Sequence, residues 1–304
     1  MRVITQKTVG AASVLEVAEV AKPVPGAGQV LVKVGAAGVN PVDTYIRAGG
    51  FPALGEPPFT LGWDIAGTVE QLGEGVEGFA AGDEVHGLLT WPGTGGGYAE
   101  YAVANASDLV ARPSYLTVEE AGAVPMVALT AWQALVGRGG LAAGQRVLIH
   151  AAAGGVGHVA VQIAKARGAH VIGTASAAKH DFLRSLGVDE VIDYRHEDFT
   201  SIDPVDVVLD TIGGDYAERS AKVLKPGGVL VSIIPGNPGF DVDRAVDLGI
   251  RFELFMGVSA SGADLAALPQ LKVQIDHAVP LADAAKAHEL VESKRTTGKV
   301  VLVP

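Results

Sequence analysis

Through the first third of the chain, apolar residues come in short runs broken by glycine and proline. Gln29–Val34, Gly67–Leu72, Glu84–Leu88 and Tyr98–Ala104 each read as a strand, with Pro-Gly and Gly-Asp turn signals between them. From Met1 to about Leu116 the pattern is therefore that of an all-β module. From Thr117 strands and helices alternate. Thr117-Val-Glu-Glu120 is a capping box that opens a helix running towards Arg138, with Pro125 early in it. Strands follow at Arg146–His150, His170–Thr174, Glu190–Ile192, Val205–Asp210, Gly228–Ile234 and Arg251–Phe255, with helical patterns between the first five. Six strands joined by right-handed crossovers describe a doubly wound parallel sheet of the nucleotide-binding kind. The last stretch changes again: a strand at Asp276–Val279, an amphipathic helix at Leu281–Ser293 and a strand at Lys299–Val303, which are expected to return to the first module.

The fold class expected is thus α/β: a β domain at 1–120 completed by 265–304, and a Rossmann domain with a six-stranded parallel sheet at 121–264. The 304 residues suit two cores better than one. A 48% hydrophobic, 19% charged composition is that of a globular chain. The net charge of −11 and the pI near 5.1 disfavour nucleic acid or an anionic membrane as partner. Zero cysteines remove disulfides, thiolate nucleophiles and cysteine-ligated zinc together. The start, Met1-Arg-Val-Ile-Thr-Gln-Lys7, has no apolar signal-peptide core, so a cytoplasmic protein is expected.

The chemistry begins at Arg146–Gly157, an apolar strand that runs into a glycine-rich turn, followed at once by the helix His158–Lys165. Such a turn presents backbone N–H groups at a helix start, where the dipole favours an anion. It matches the dinucleotide fingerprint with Ala152 at the first glycine position and Gly154 and Gly157 at the others, so Ala153, Gly154, Gly155, Val156 and Gly157 are expected to cradle a pyrophosphate. The second strand ends without an acid. Thr174, Ser176 and Lys179 offer two hydroxyls and a cation, which suits a 2′-phosphate and so NADPH, with Asp181 a complication just beyond the turn. Tyr194, after the third strand, either packs on adenine, sits near the phosphate or is a plain turn tyrosine. Thr211, Ile234 and Gly236 lie just past the carboxyl ends of later strands and are expected on the nicotinamide side.

Several ordered motifs resemble the medium-chain dehydrogenases/reductases, in their zinc-free quinone oxidoreductase-like branch. They are Gly38-Val-Asn-Pro-Val-Asp-Thr-Tyr-Ile-Arg47, Gly62-Trp-Asp-Ile-Ala-Gly-Thr-Val-Glu70 leading to Gly82-Asp-Glu-Val85, Gly96-Gly-Tyr-Ala-Glu-Tyr101, the glycine turn itself, and the closing Ala287-His-Glu-Leu290 with Gly298-Lys-Val-Val-Leu302. The resemblance implies a GroES-like β domain, a Rossmann domain and a C-terminal return. Zinc-dependent relatives have a cysteine near Asn40 and a histidine where Trp63 stands, so the resemblance implies metal-free chemistry here. Hydride addition to a quinone or enone spreads charge into an enolate or hydroquinone anion, which hydrogen-bond donors can hold. Asn40 and Tyr45 are such donors on a segment that, by resemblance, faces the nicotinamide; Thr130 is carried over as a nicotinamide-side contact. Asp43 and Arg47 would orient the loop, Trp63 and Asp64 would support it, and Phe51-Pro52 and Trp91-Pro92 would shape the substrate mouth. His150 and His158 flank the turn as packing residues. The expected activity is reduction of a small hydrophobic quinone or enone by NADPH. An enoyl-thioester reductase and a non-catalytic NADPH-binding protein remain the alternatives. Arg251–Val258, apolar and at the sheet edge by resemblance, is expected to pair with a second copy in a homodimer.

Overall fold

A computed structural model describes residues 1–93, 95–234, 240–255 and 257–304. The chain forms two compact units: Met1–Leu129 with Ser259–Ala267 and Val273–Pro304, and Thr130–Val258 with Leu268–Lys272. The first division therefore falls after Leu129 rather than at 120.

The first unit begins with an antiparallel pair, β1 (Arg2–Thr5) and β2 (Glu16–Glu19). Its main sheet uses β3 (Gln29–Val39), β4 (Asp64–Leu72), β5 (Glu84–Leu88), β6 (Tyr101–Asn105) and β7 (Leu109–Ala111). The helix α1 (Pro41–Arg47) follows β3 directly. The strand β3 runs five residues past the expected Val34, through Gly35, Ala36, Ala37 and Gly38. Those residues are small because the helix α2 (Val118–Ala123) lies on them: a Cβ on Gly122 would sit 2.7 Å from the Ala36 carbonyl oxygen. The close contact explains why residues beyond 120 stay with the β unit. Tyr98 leaves β6 and joins β1 instead, through a Val3–Ala99 bridge, which turns the tyrosine ring inward.

The capping box forms, with Thr117 Oγ1 accepting from Glu120 N–H and Glu120 Oε2 accepting from Thr117 N–H. The long helix does not. The α2 helix stops at Ala123, α3 (Pro125–Trp132) starts afresh, and Gln133–Arg138 winds into a wider turn. Pro125 has no N–H to give to the carbonyl of Ala121, so it begins a helix better than it continues one.

The second unit is a fully parallel sheet of β8 (Arg146–Ile149), β9 (His170–Ala175), β10 (Glu190–Asp193), β11 (Val205–Asp210), β12 (Leu224–Ser232) and β13 (Arg251–Leu254). Its order, β10-β9-β8-β11-β12-β13, is that of a doubly wound dinucleotide-binding fold. Crossover helices include α4 (Gly155–Ala166), α5 (His180–Ser185), α6 (Tyr216–Ala221) and α7 (Val242–Asp247). One apolar residue from each of the first five strands, Leu148, Ile172, Ile192, Val208 and Leu230, packs with Phe199 and Phe240 into a single core. The chain then supplies α8 (Gly262–Ala266), β14 (Ile275–Pro280), α9 (Ala284–Glu292) and β15 (Lys299–Val303). These return to the first unit, where β15 pairs antiparallel with β3. Its sheet reads β14-β15-β3-β4-β5-β7, with β6 on β3.

Candidate functional site

In the second unit the site is built from backbone. After β8 the chain turns through His150–Ala153, and Gly154 caps α4 in an extended conformation. The first-turn N–H groups of Gly155, Val156 and Gly157 have no helical acceptor and sit where the helix dipole is positive. Gly157 is glycine because a Cβ there would come within 2.4 Å of the Ala151 oxygen and 2.7 Å of Ala152 Cα. Ala152, in the place of the first glycine, is fully buried and donates its N–H to Thr174 O at 2.9 Å. Gly154, Gly155 and Val156 are half-buried, while Ala153 is buried at the base of the turn. The chemistry of this cradle fits a pyrophosphate.

Thr174 is a correction. Its side chain is fully buried, and Oγ1 accepts from Ala151 N–H at 3.2 Å and lies 3.3 Å from His150 Nδ1. It fixes the turn from below and presents no hydroxyl to a 2′-phosphate. Ser176 and Lys179 do lie at the half-buried surface. The β9–β10 register pairs Asp193 with Ala175, which brings Tyr194 alongside Ser176. Tyr194 is 45% exposed, with the Arg195 guanidinium 5.8 Å from its ring centre. Asp181, which could have repelled a phosphate, faces solvent and pairs with Arg184 at 2.8 Å.

Thr211 donates to His150 O at 2.7 Å, tying the end of β11 to the end of β8. Ile234 N–H donates to Ser232 Oγ at 3.4 Å; Gly236 lies outside the described residues. The organiser of this edge is Asp210, the last residue of β11. Its Oδ1 accepts from Ile212 and Gly213 N–H, both at 2.9 Å, and its Oδ2 from Ser232 Oγ at 3.1 Å. His150 is a packing residue between Ser220, Phe199 and Tyr216, and burial pulls its imidazole down to about 3. Thr130, on α3, is buried.

In the first unit the site is built from side chains. Asn40 caps α1, with Pro41 at the first helical position. Its backbone N–H donates to Asp43 Oδ2 at 2.8 Å and its amide nitrogen to Asp64 Oδ2 at 2.9 Å. Lys299, from β15, donates to Asn40 Oδ1 and to Val39 O, and lies 3.5 Å from Asp64 Oδ2. Asp64 Oδ1 accepts from Met126 N–H. Lys299 and Asp64 are only 3% and 0% exposed. Burial raises the Asp64 carboxyl and lowers the Lys299 ammonium, each opposed by the other's charge. Asp64 thus supports the Asn40 segment, with Lys299 as its cationic partner.

A second chain of bonds leaves Asp43. Tyr98 OH donates to Asp43 Oδ2 at 2.7 Å, His288 Nε2 lies 3.2 Å from Tyr98 OH, and Arg47 reaches His288 Nδ1 at 3.3 Å and Glu292 at 2.6 Å. A guanidinium only donates, so His288 must accept at Nδ1 and carry its proton on Nε2. Burial holds His288 neutral, down to about 3, and pushes the Asp43 carboxyl up to about 7. The other oxygen of Asp43 has no partner among the described residues.

Tyr45 stands apart. It is 56% exposed, its ring lies over Gly50, and its hydroxyl has no hydrogen-bond partner among the described residues. Trp63 is fully buried and meets Trp91 edge-on, with ring centres 4.7 Å apart; Phe51 lies 6.3 Å beyond Trp91. Among the described residues, no group of three histidines or carboxylates could hold a metal ion. Nor is any helix among them long and apolar enough to cross a membrane.

Residues 26–114 match the alcohol dehydrogenase GroES-like domain family, and residues 186–302 the zinc-binding dehydrogenase family. The chain is 35% identical over 314 residues to a quinone oxidoreductase of Sus scrofa, covering 94% of this chain and 92% of that one. It is 35% identical over 297 residues to a 2-methylene-furan-3-one reductase of Solanum lycopersicum, covering 91% and 72%. A 209-residue stretch, 68% of this chain, is 43% identical to part of the polyketide synthase GfsB of Streptomyces halstedii, of which it spans only 4%. Among solved structures, a quinone oxidoreductase from Coxiella burnetii superposes with a TM-score of 0.90 at 33% identity, covering 100% of this chain and 99% of that one. The Escherichia coli quinone oxidoreductase complexed with NADPH gives 0.88 at 30% identity, with both chains covered in full. The chain belongs to the medium-chain dehydrogenases/reductases, as an enzyme of their quinone oxidoreductase-like branch.

Proposed function

We propose that this enzyme reduces a quinone or a conjugated enone with NADPH and without a metal. The observation that carries the reading is the pairing of donor sets. The second unit offers a bare backbone cradle with Ser176 and Lys179 at the end of β9; the first has Asn40 and Trp63 where a metalloenzyme of this family would have ligands, and the phenol of Tyr45 on the helix that Asn40 caps. Gly155–Gly157 would hold the pyrophosphate, Ser176 and Lys179 the 2′-phosphate, and Tyr194 either that phosphate or the adenine. Thr130, Thr211, Ile234 and Gly236 would bound the nicotinamide end. The bound dinucleotide supplies a hydride. Asn40 keeps one amide hydrogen beyond its bond to Asp64, and Lys299 and Asp64 fix the plane in which it points. Tyr45 presents an unengaged phenol. Both can stabilise negative charge that develops on an acceptor oxygen, and Tyr45 or water returns a proton there.

The relatives' names favour this substrate class, because quinones and 2-methylene-furan-3-one are both conjugated carbonyl compounds. The match to a polyketide synthase keeps an enoyl-thioester reductase as the second reading. The protein is also proposed to act in the cytoplasm and as a homodimer through β13, which ends the parallel sheet; light scattering that gives a monomer mass would refute the dimer.

The test is NADPH consumption with quinones, enones and enoyl thioesters, repeated in Lys179→Ala. Quinones or enones should be the best acceptors. Loss of a charge-assisted bond of about 1.5–3 kcal/mol should cut the NADPH-over-NADH preference ten- to a hundredfold. A blank panel refutes the activity, and an unchanged preference refutes the phosphate site.

A further inference from the structure

Asn40 is gripped twice. Lys299 and Asp64 hold its side chain, and Asp43 Oδ2 holds its backbone N–H at 2.8 Å. The second grip is the near end of a chain of bonds that runs from Asp43 through Tyr98, His288 and Arg47 to Glu292. Its direction is fixed at the far end. Arg47 can only donate, and it does so to Gly10 O, His288 Nδ1 and Glu292 Oε1. Neutral His288 therefore donates from Nε2, and Tyr98 OH accepts. The one hydrogen of Tyr98 is left for Asp43 Oδ2, where it arrives beside the Asn40 N–H. Two donors thus converge on a single carboxylate oxygen, and bonds to an ionised acceptor are the short, strong ones. Asp43, Tyr98 and His288 are all fully buried, and Asp43 Oδ1 has no partner among the described residues. A carboxylate, a phenol and an imidazole cost stability there that apolar side chains of similar volume would not. Packing alone does not account for them.

We propose that Tyr98 and His288 are positioning residues for reduction of the acceptor: through Asp43 they set the backbone of Asn40, and with it the direction of the amide hydrogen that Asn40 offers to the acceptor oxygen. The inference rests on the reading of Asn40 as part of the reduction site. Both residues act only through Asp43, and the dinucleotide cradle belongs to the other unit. Their loss should therefore lower kcat and leave NADPH affinity unchanged.

The chain has three asparagines, Asn40, Asn105 and Asn237, so labelling with 15N-asparagine gives three backbone amide signals. Asn105→Ser and Asn237→Ser assign them by loss. At pH 8, above the value of about 7 to which burial lifts Asp43, the Asn40 amide proton should resonate downfield, as a donor to a carboxylate does. Tyr98→Phe and His288→Leu should each move it upfield. With NADPH and 2-methyl-1,4-naphthoquinone, the same variants should lower kcat about ten- to a hundredfold. His288→Gln, which keeps one donor and one acceptor, should restore the signal and most of kcat. An Asn40 signal unmoved by His288→Leu, a kcat left at the wild-type value, or equal losses in His288→Gln and His288→Leu overturns the positioning role. Tyr98→Phe, which removes a single oxygen, gives the same reading should His288→Leu fail to fold. Signals that follow the chain in a protein that reduces no acceptor keep its hold on Asn40 and overturn the proposed reduction instead.

Discussion

The two units build their sites by opposite means. In the second, Gly155–Gly157 act through backbone N–H groups, and the side chains around them serve to keep the turn closed: Thr174 on Ala151, Thr211 on His150 O, Asp210 on the next loop. In the first, nearly everything rests on side chains brought from distant parts of the sequence, with Asn40, Asp64 and Lys299 locked in one buried cluster. A backbone site tolerates changes of side chain and fails when a Cβ is added. A side-chain site tolerates small backbone shifts and fails when one charge is lost.

The largest effect should come from Lys299→Met. It leaves Asp64 buried without its cation, and breaking a buried pair from one side costs about 3–5 kcal/mol. Urea unfolding should show that loss, and the double variant Lys299→Met/Asp64→Asn should recover much of it. A double variant no better than the single one would mean that the pair is not coupled as drawn.

Gly157→Ala comes next. Its Cβ would press on Ala151 O at 2.4 Å, so the turn must move, at a cost of about 1–3 kcal/mol. NADPH affinity should fall with it. Gly154→Ala should be mild, because its φ of −82° suits any residue and its Cβ would stand 3.2 Å from the same oxygen. Equal losses in the two variants, by calorimetric binding, would end the argument that Gly157 is a packing glycine.

The smallest effect is a pH slope. Burial pushes the Asp43 carboxyl from its ordinary value of 3.8 up to about 7 in the folded chain, so the folded state binds more protons between those values. Its contribution to stability is therefore complete below 3.8 and is lost as pH rises through about 7. Between pH 6 and 8 the loss should be about 1 kcal/mol. Buried His86, His150 and His288 act with the opposite sign, their cost appearing as pH falls below 6.5. Asp43→Asn can still accept from Asn40 N–H and Tyr98 OH, so the difference between variant and wild type isolates Asp43. That difference should grow from pH 6 to pH 8, and a flat one would show that Asp43 is ionised throughout.

What could be read in the sequence follows the same division. The six parallel strands and the glycine turn are local patterns, and both were legible from Arg146–Gly157 and the alternation after it. The direction of Thr174 was not, because it depends on the register of β9 against β8 rather than on its neighbours in sequence. Pro125, without the N–H that a continuing helix needs, marks the break between α2 and α3. Asn40 and Asp64 were visible as loop residues, but His288 and Lys299 look like ordinary polar positions on a closing helix and strand. The pairing of β15 with β3 and the packing of α9 against α1 make them interior.

The pairing of Lys299 with Asn40 closes a loop of 259 residues in sequence. A contact that remote is among the last that a folding chain can form. As the chain emerges from the ribosome, the whole nucleotide sheet is made before the cation that fixes Asn40 exists, so the acceptor side of the enzyme is completed only when β15 docks. Pulse-labelled hydrogen exchange should accordingly find β8–β12 protected before the amides around Asn40.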